Sequence, residues 1–413
     1  MTASDVVFIL LAGFLPMAWF AHRLGKNRAV ALGGADNMHS QPGHYGWYAV
    51  LGLALPALGV AVVGAILSLT GVYHVPAIML VTAALVVSAA GLSLALRFMR
   101  ADLPARNIVE SSIIWGLRLA SMISILTTVG ILLSVIIEAI EFFKIVGFWN
   151  FLTGTEWNPD TAFLAGAGRG HEDVAQAHFG SVPIFAGTFM ITLIAMFVAI
   201  PIGLYAAIFM SEYASRPVRG WLKPALEVLA GIPTVVYGFF AAITISPLVV
   251  QTAAFFGLAA DATNALAPGI VMGVMIIPFI SSLSDDVLMA VPQSLREGSL
   301  AMGVTKAETI RHIVIPAALP GIISASLLGV SRAVGETMIV VMAAGLRPNL
   351  TWNPLEGMTT VTVRIVDALT GDQEFNSPLT QSAFGLGLVL LVLTMILNLI
   401  SLTVIRRFRL KYE

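Results

Sequence analysis

The chain has 413 residues, of which 58% are hydrophobic and only 11% are charged, and its formal net charge is −1. Soluble proteins carry about 25% charged residues, so a soluble fold of this length could not cover its surface with polar groups. The near-neutral charge argues against nucleic acid as the main partner. The absence of cysteine excludes disulfides, thiolate metal sites and cysteine nucleophiles. The composition therefore indicates an integral membrane protein.

Nine runs of mostly apolar residues are long enough to be membrane helices, which need about 20 residues each. The predicted spans cover residues 4–20, 46–70, 76–96, 114–143, 183–210, 224–250, 267–289, 317–345 and 381–405. The first run is short, but residues 1–5 carry no Lys or Arg, so we interpret it as a span and not as a signal peptide. The predicted fold is an all-α polytopic membrane protein with about nine transmembrane helices.

The basic residues predict the orientation of these spans. With the C-terminus inside, sixteen Lys and Arg residues fall on the inner side and four on the outer side. Arg118 and Arg332 lie within spans, which accounts for all 22. Short cytoplasmic loops retain positive charge in membrane proteins. We therefore expect the N-terminus outside and the C-terminus in the cytoplasm.

The predicted spans form two blocks. Residues 1–112 form an N-terminal accessory region of three spans, which ends in a charged linker, and residues 113–413 form a core of six spans. A long inner loop, residues 290–316, interrupts this core. Asp285 and Asp286 precede the loop at the inner end of the seventh span, where we expect both to face the loop.

The inner loop predicts two short helices joined by a glycine. Pro292 can begin the first helix, and Gly303 can end it. Thr305 and Glu308 have the spacing of a capping box, which begins the second helix, and Pro316 is expected to stop it. Such an element could dock into a partner or lie on the lipid headgroups.

The loop resembles the EAA loop of ABC importer permeases. The matching elements are Glu297-Gly298-Ser299, Gly303 and Ile313-Val314-Ile315-Pro316. The resemblance implies a type I, MetI-like permease core in which Glu297, Gly298, Ser299, Gly303 and Pro316 couple to a separate ATPase. No G-x-x-x-x-G-K-[ST] phosphate loop occurs in the chain, so we expect ATP hydrolysis on a partner and no enzyme activity or cofactor here.

Two ionisable residues lie inside the eighth predicted span. Arg332 and Glu336 are four residues apart, which would place them on one helix face and allow them to pair. Charged groups within spans face the protein interior or a water path. The pair could therefore line an anion path, or it could only lock helix packing.

The segment Ser331–Met338 resembles the RA-x-GET signature of phosphate-specific ABC permeases, the Pst family, and its final Met favours the PstC-like branch. Residues 153–159 and 231–238 resemble further segments of that family. The resemblance implies a phosphate path lined by Arg332, Glu336 and Thr337 in a bacterial inner membrane. The implied partners are a PstA-like permease, a PstB-like ATPase dimer and a PstS-like phosphate-binding protein.

Three alternatives remain open. The chain could be a permease for another oxyanion, such as sulfate, molybdate or phosphonate, or it could be an ion-coupled secondary transporter. The N-terminal block could also contribute to the regulation of phosphate signalling.

His171, Glu172, Asp173 and His178 lie in an outer loop, but their spacing matches no strong metal-ligand pattern, so we predict no metal site.

Overall fold

A computed structural model of the chain describes residues 3–33, 38–69, 76–159, 178–370 and 377–409. Within these ranges, eight helices are long and apolar enough to cross a membrane. They overlap the second to ninth predicted spans, and the first predicted span falls within a further helix. The prediction of a polytopic helical membrane protein is confirmed.

The chain divides into two compact units at Gly130. The first unit contains helices α1 (Ala3–Gly33), α2 (Pro42–Leu69), α3 (Ala77–Phe98) and the beginning of α4 (Ala105–Val146). Small residues let α2 and α3 approach closely, because a Cβ on Gly91 would lie 2.2 Å from the carbonyl oxygen of Gly52. The hydroxyl of Tyr45 donates to the carbonyl oxygen of Leu103 at 2.8 Å, which ties α2 to the segment before α4.

Helix α4 has 42 residues, which corresponds to about 63 Å at 1.5 Å per residue. This exceeds the hydrocarbon thickness of about 30 Å. The helix begins at Ala105 and not near residue 114 as predicted, because the charged residues of its first turns are compatible with helix outside the apolar layer. The division between the two units falls within α4, and the predicted domain boundary at residue 112 remains a prediction.

The second unit begins with the end of α4 and contains most of the remaining elements. In chain order these are α5 (Phe148–Thr153), β1 (Trp157–Asn158), β2 (His178–Phe179), α6 (Val182–Ile208), α7 (Arg216–Ala230), α8 (Thr234–Phe240), α9 (Ser246–Phe255), α10 (Leu266–Ala290), α11 (Gln293–Ala301), α12 (Lys306–Thr309), α13 (Ile315–Val334), α14 (Met338–Ala343), α15 (Val361–Leu369) and α16 (Pro378–Arg409). The two short strands pair antiparallel, with Trp157 opposite Phe179.

Helices α6 and α10 form the centre of the second unit. Gly269 and Gly273 lie four residues apart on α10, and a Cβ at Gly273 would come within 2.8 Å of the carbonyl oxygen of Ala195 on α6. This small-xxx-small spacing permits close helix approach where no hydrophobic effect drives helices together. Around the contact lies a buried core that includes Ile191, Met272 and Ile276.

Three single π-helical turns occur in the described chain, at Phe209–Tyr213, Ala241–Ile245 and Ile310–Val314. The first ends the helical segment that begins with α6, and the other two lie between consecutive helices. Two of them directly precede a helix with Pro at its first or second position, Pro247 and Pro316. Proline lacks the N–H that an α-helix needs, and a wider turn accommodates this loss without ending the helix.

Two predicted spans are broken in the structure. The sixth was predicted as one helix over residues 224–250, but α7 ends at Ala230, and α8 begins after Pro233. Proline disfavours the helical conformation of the residue before it, and hydropathy does not detect this effect. The eighth was predicted over residues 317–345, but α13 ends at Val334 and a short helix, α14, follows.

Candidate functional site

The loop between α10 and α13 has the predicted helix–glycine–helix form. Pro292 precedes α11, and Gly303 follows its end with a φ of +82°, a left-handed conformation that favours glycine. Thr305 and Glu308 form a reciprocal capping box at the start of α12. These three predictions are confirmed.

The expectation for Pro316 was wrong. Pro316 was expected to stop the second short helix, but the chain stays helical from Lys306 through the π turn into α13, as far as Val334. The N–H of Ile315 donates to the carbonyl oxygen of Ile310, five residues earlier, and this shift accommodates the missing N–H of Pro316. The second loop helix and the eighth span are therefore one continuous helical rod.

The residues expected to couple to an ATPase differ in exposure. Glu297 and Gly298 are exposed on α11, whereas Ser299 is buried and its hydroxyl lies 2.9 Å from that of Thr309. Ser299 therefore joins the two loop helices and does not contribute to a free surface. The large apolar side chains exposed in the loop are Leu295, Leu300, Met302 and Val304, and Met302 is 83% exposed.

Polar contacts attach the loop to the end of α6. Arg296 on α11 contacts the carboxylate of Glu212 at 3.2 Å, and the two side chains are only 14% and 9% exposed. Arg296 also donates to the carbonyl oxygen of Leu288 at 2.6 Å. The ammonium of Lys306 donates to the carbonyl oxygen of Glu212 and lies over the Tyr213 ring. A displacement of the loop would therefore act directly on the π turn after α6.

Arg332 and Glu336 do not pair. The predicted pair requires both residues on one helix, but α13 ends at Val334, between them. Among the described residues no carboxylate forms an ion pair with Arg332, whose guanidinium lies 6.0 Å from the ring centroid of Phe279. Glu336 turns to the backbone instead, where its carboxylate accepts from the N–H of Met338 at 3.1 Å.

Residues Gly335 to Thr337 form a gap between two helices. The hydroxyl of Thr362 donates to the carbonyl oxygen of Glu336 at 2.8 Å, and Thr337 precedes α14. Backbone without regular helical bonding is tolerated at membrane depth only when it is buried in protein or lines a cavity. The predicted path residues Glu336 and Thr337 thus lie in a backbone gap and not on a continuous helix.

The second break, residues 231–233, lies next to the first. A Cβ at Gly238 in α8 would lie 3.0 Å from the carbonyl oxygen of Met338 in α14, so the short helices after the two breaks are in close contact. The hydroxyl of Tyr237 donates to the carbonyl oxygen of Leu229 across the second break at 2.9 Å. Two of the three segments that resemble the Pst family, residues 231–238 and 331–338, therefore contain these two helix breaks.

A cavity of about 260 Å³, lined by charged and apolar residues, lies beside the ends of α7 and α13 that precede these breaks. Its wall includes Arg332 from α13, Lys223 and Glu227 from α7, and Ser282 and Asp285 from α10. Lys223 and Arg332 supply positive charge to the cavity.

The sequence expectation for Asp285 was wrong. It was expected to face the loop, but its side chain is 0% exposed and pairs with Arg219 at 2.8 Å and Lys223 at 3.6 Å. A signal for this was present in the sequence. Residues Arg216–Ala230 place basic and apolar residues on different faces of a helix, so their basic face needed acidic partners.

The predicted family segment 153–159 lies in the second unit. Trp157 and Phe179 pair across the two short strands, and with Phe142 and Phe151 they form a buried aromatic cluster. Of the four outer-loop residues for which no metal site was predicted, His171, Glu172 and Asp173 lie outside the described residues. Within the described part of the chain, no group of three His, Asp or Glu residues could hold a metal ion.

Comparison with known proteins identifies the family. A model of the binding-protein-dependent transport system inner membrane component matches residues 199–410, which include both helix breaks and the inner loop. The chain belongs to this family of ABC permeases. A second model, described as a phosphate ATP-binding cassette transporter, matches residues 6–132. The chain is thus a multi-pass inner-membrane transport subunit.

Several relatives of this permease are similar over most of their length. It is 33% identical to a probable ABC transporter permease protein, YqgH, of Bacillus subtilis, over 68% of this chain and 85% of the relative. It is 30% identical to the phosphate transport system permease protein PstC 1 of Mycobacterium tuberculosis, over 71% and 92%. It is also 30% identical to PstC of Mesorhizobium japonicum, over 69% and 86%.

Proposed function

We propose that this permease is the PstC-like subunit of an ATP-driven importer of inorganic phosphate. The main support is the position of the RA-x-GET-like segment, which forms a helix break beside a cavity lined by an arginine without an ion pair in the described chain. The relatives named as phosphate permeases and the phosphate-transporter family model support the same substrate.

Arg332 supplies the charge that the path needs. Its guanidinium can offer two parallel donors to a tetrahedral oxyanion. A transport path needs a site that is favourable enough to enter and weak enough to leave. A single arginine in the lining of this cavity meets both needs. Glu336 and Thr337 shape the adjacent gap through backbone contacts.

The exposed inner loop supports docking of an ATPase on this permease. Leu295, Leu300 and Met302 form an apolar surface that a cytoplasmic partner would cover. We infer that two copies of a PstB-like ATPase dock on this permease and a PstA-like partner permease, and that ATP hydrolysis occurs on those copies. A PstS-like protein would deliver phosphate from the outer side.

The distribution of basic residues supports the orientation in which the inner loop faces the cytoplasm. The inner loop and the amphipathic helix α7, which contains Arg216, Arg219 and Lys223, belong to the side richer in Lys and Arg. We infer a cytoplasmic C-terminus and an N-terminus on the outer side.

Uptake by the assembled transporter tests this function. The permease, its partner permease and the ATPase are reconstituted in proteoliposomes with the phosphate-binding protein, and labelled phosphate is supplied. We expect ATP-dependent phosphate accumulation, and none when the permease is omitted. Accumulation of phosphate without ATP, or failure to accumulate phosphate in an assembled ATP-hydrolysing complex, would contradict the proposal.

A further inference from the structure

We propose that Asp285 is a specificity-determining residue of the anion path, because its buried carboxylate can accept a hydrogen bond from a protonated oxyanion in the adjacent cavity. The ligand class is a tetrahedral oxyanion that carries an O–H group, such as phosphate, in preference to an unprotonated one, such as sulfate. The inference rests on the proposed function, since it requires the cavity beside Arg332 to hold the transported anion.

The two carboxylate oxygens of Asp285 have different surroundings. Oδ2 contacts the guanidinium of Arg219 at 2.8 Å and the ammonium of Lys223 at 3.6 Å. Oδ1 is buried and accepts no hydrogen bond from any described residue. A buried acceptor without a donor is energetically unfavourable, and more so when it is charged. Asp285 lines the cavity, so an unpaired acceptor on this residue is suited to a ligand that brings its own donor.

The cavity has room for such a ligand. Its volume of about 260 Å³ is several times the roughly 30 Å³ that a water molecule occupies in the liquid. Arg332 and Asp285 both line this cavity, together with the hydroxyl-bearing Ser282. An oxyanion held by the guanidinium would therefore be near an acceptor as well as a donor.

The charges around the cavity permit anion entry despite the carboxylate. Arg219 and Lys223 both contact Asp285 and compensate its charge, while Arg332 has no such partner among the described residues. Lys223 also lies 3.6 Å from the exposed Asp286, and Glu227 completes the acidic groups at the cavity. The Arg332 guanidinium therefore attracts the anion. Asp285 then discriminates between a protonated and an unprotonated anion.

The protons of the anion explain the selectivity. At neutral pH phosphate and arsenate retain at least one O–H group, whereas sulfate and selenate have none. An ionised carboxylate only accepts hydrogen bonds. A protonated oxyanion can thus donate to Asp285, while an unprotonated one would place oxygen against oxygen with like charge. Sites built around a specific hydrogen bond reject ligands that lack it by large factors.

A cysteine reporter in the cavity measures this preference directly. The chain has no native cysteine, so Ala230→Cys introduces the only thiol of this subunit, at a position that lines the cavity. The rate of its reaction with a thiol reagent is measured in the complete complex while phosphate, arsenate, sulfate or selenate is titrated. Ser215→Cys, an exposed position at the start of α7 that does not line the cavity, serves as the matched control.

We expect phosphate and arsenate to protect the Ala230→Cys thiol at concentrations at least about tenfold lower than sulfate and selenate, and no anion to protect Ser215→Cys. When Asp285→Asn is combined with Ala230→Cys, the four anions should protect the thiol at similar concentrations. Because Asp285→Asn also weakens the pair with Arg219, its assembly is checked by co-purification of the ATPase. The comparison of anions in the Asp285 protein tests the proposal without that variant.

The possible failures are distinguishable. Equal protection by all four anions would overturn the role of Asp285 but leave an anion site beside Arg332. Protection that depends on the size of the anion, with arsenate and selenate grouped against phosphate and sulfate, would overturn it as well. If no anion protects the thiol, both this inference and the path beside Arg332 are wrong.

Discussion

Gly303 ends α11 with a φ of +82°, and no heavy atom lies within 4 Å of the position that its Cβ would occupy. Its requirement for glycine is therefore conformational, since a side chain would meet open space. We expect Gly303→Ala to destabilise the loop by about 1–2 kcal/mol, the cost of a left-handed conformation for an L-residue, and to reduce ATPase co-purification. Gly298→Ala is the matched control, because Gly298 also has open space but no positive φ. Equal co-purification of both variants would contradict this account.

The contact of the Glu336 side chain with the backbone can be tested by substitution. Its carboxylate accepts from the N–H of Met338 and does not pair with Arg332. Glu336→Gln keeps an acceptor oxygen and should retain most phosphate uptake, whereas Glu336→Ala leaves that N–H without its partner and should lose severalfold more. The measurement is uptake into proteoliposomes with the amount of complex normalised. Loss of uptake in Glu336→Gln equal to that in Glu336→Ala would show that the negative charge itself is required.

Local chemistry explains which residues the sequence could predict. The capping box of Thr305 and Glu308 and the glycine at 303 depend on their immediate neighbours, so short-range rules predicted both. The pairing of Arg332 with Glu336 depended on an assumed helix, and it was wrong because that helix ends between them.

Arg296 and Lys306 of the inner loop both contact Glu212, Arg296 at its carboxylate and Lys306 at its carbonyl oxygen. We expect Glu212→Gln to leave the Arg296 guanidinium buried and unpaired, a change that costs about 3–5 kcal/mol in buried ion pairs. Motion of the loop would then reach α6 less effectively. The ratio of phosphate transported to ATP hydrolysed should therefore fall in the reconstituted complex.

The control for this prediction is Glu110→Gln, which removes a pair with Arg106 whose side chains are 62% and 51% exposed. Exposed pairs contribute about 0–1 kcal/mol, so this variant should keep the wild-type ratio. An unchanged ratio in Glu212→Gln would show that the contact is not part of the coupling route.

The sequence predicted the spans better than their interruptions. Apolar length located the second to ninth spans, because the bilayer selects for hydropathy over about 20 residues. The breaks at 231–233 and 335–337 lie inside apolar runs, where hydropathy does not change. For Pro316 the sequence predicted a helix end that the structure does not have, because a π turn accommodates its missing N–H.

The whole molecule consists of an N-terminal unit and a permease unit, and residues 1–112 are proposed to be accessory. Deletion of these residues would remove three spans and place the new N-terminus inside, while the C-terminus should stay cytoplasmic. A reporter fused to the C-terminus of the full-length and shortened chains measures its location. A C-terminal reporter on the outer side in either protein would refute the proposed orientation.

The sequence could predict the class of fold, because this depends on composition. The side of the membrane on which the inner loop lies stays a prediction from charge bias. The sequence could not predict the cavity. The contact of Asp285 with Arg219 joins residues 66 positions apart in sequence, and only the packing of α7 against α10 brings them together.

The central claim, that Arg332 lines the phosphate path, is tested most directly by phosphate uptake of the Arg332→Gln complex. Arg118→Gln is the matched control, since Arg118 also lies within a predicted span but does not line the cavity. Its guanidinium instead lies over the ring of Trp115. We expect Arg332→Gln to reduce ATP-dependent uptake of labelled phosphate at least tenfold while the ATPase still co-purifies, and Arg118→Gln to transport normally. Uptake at the wild-type rate by Arg332→Gln would contradict the account, because the path would then run elsewhere.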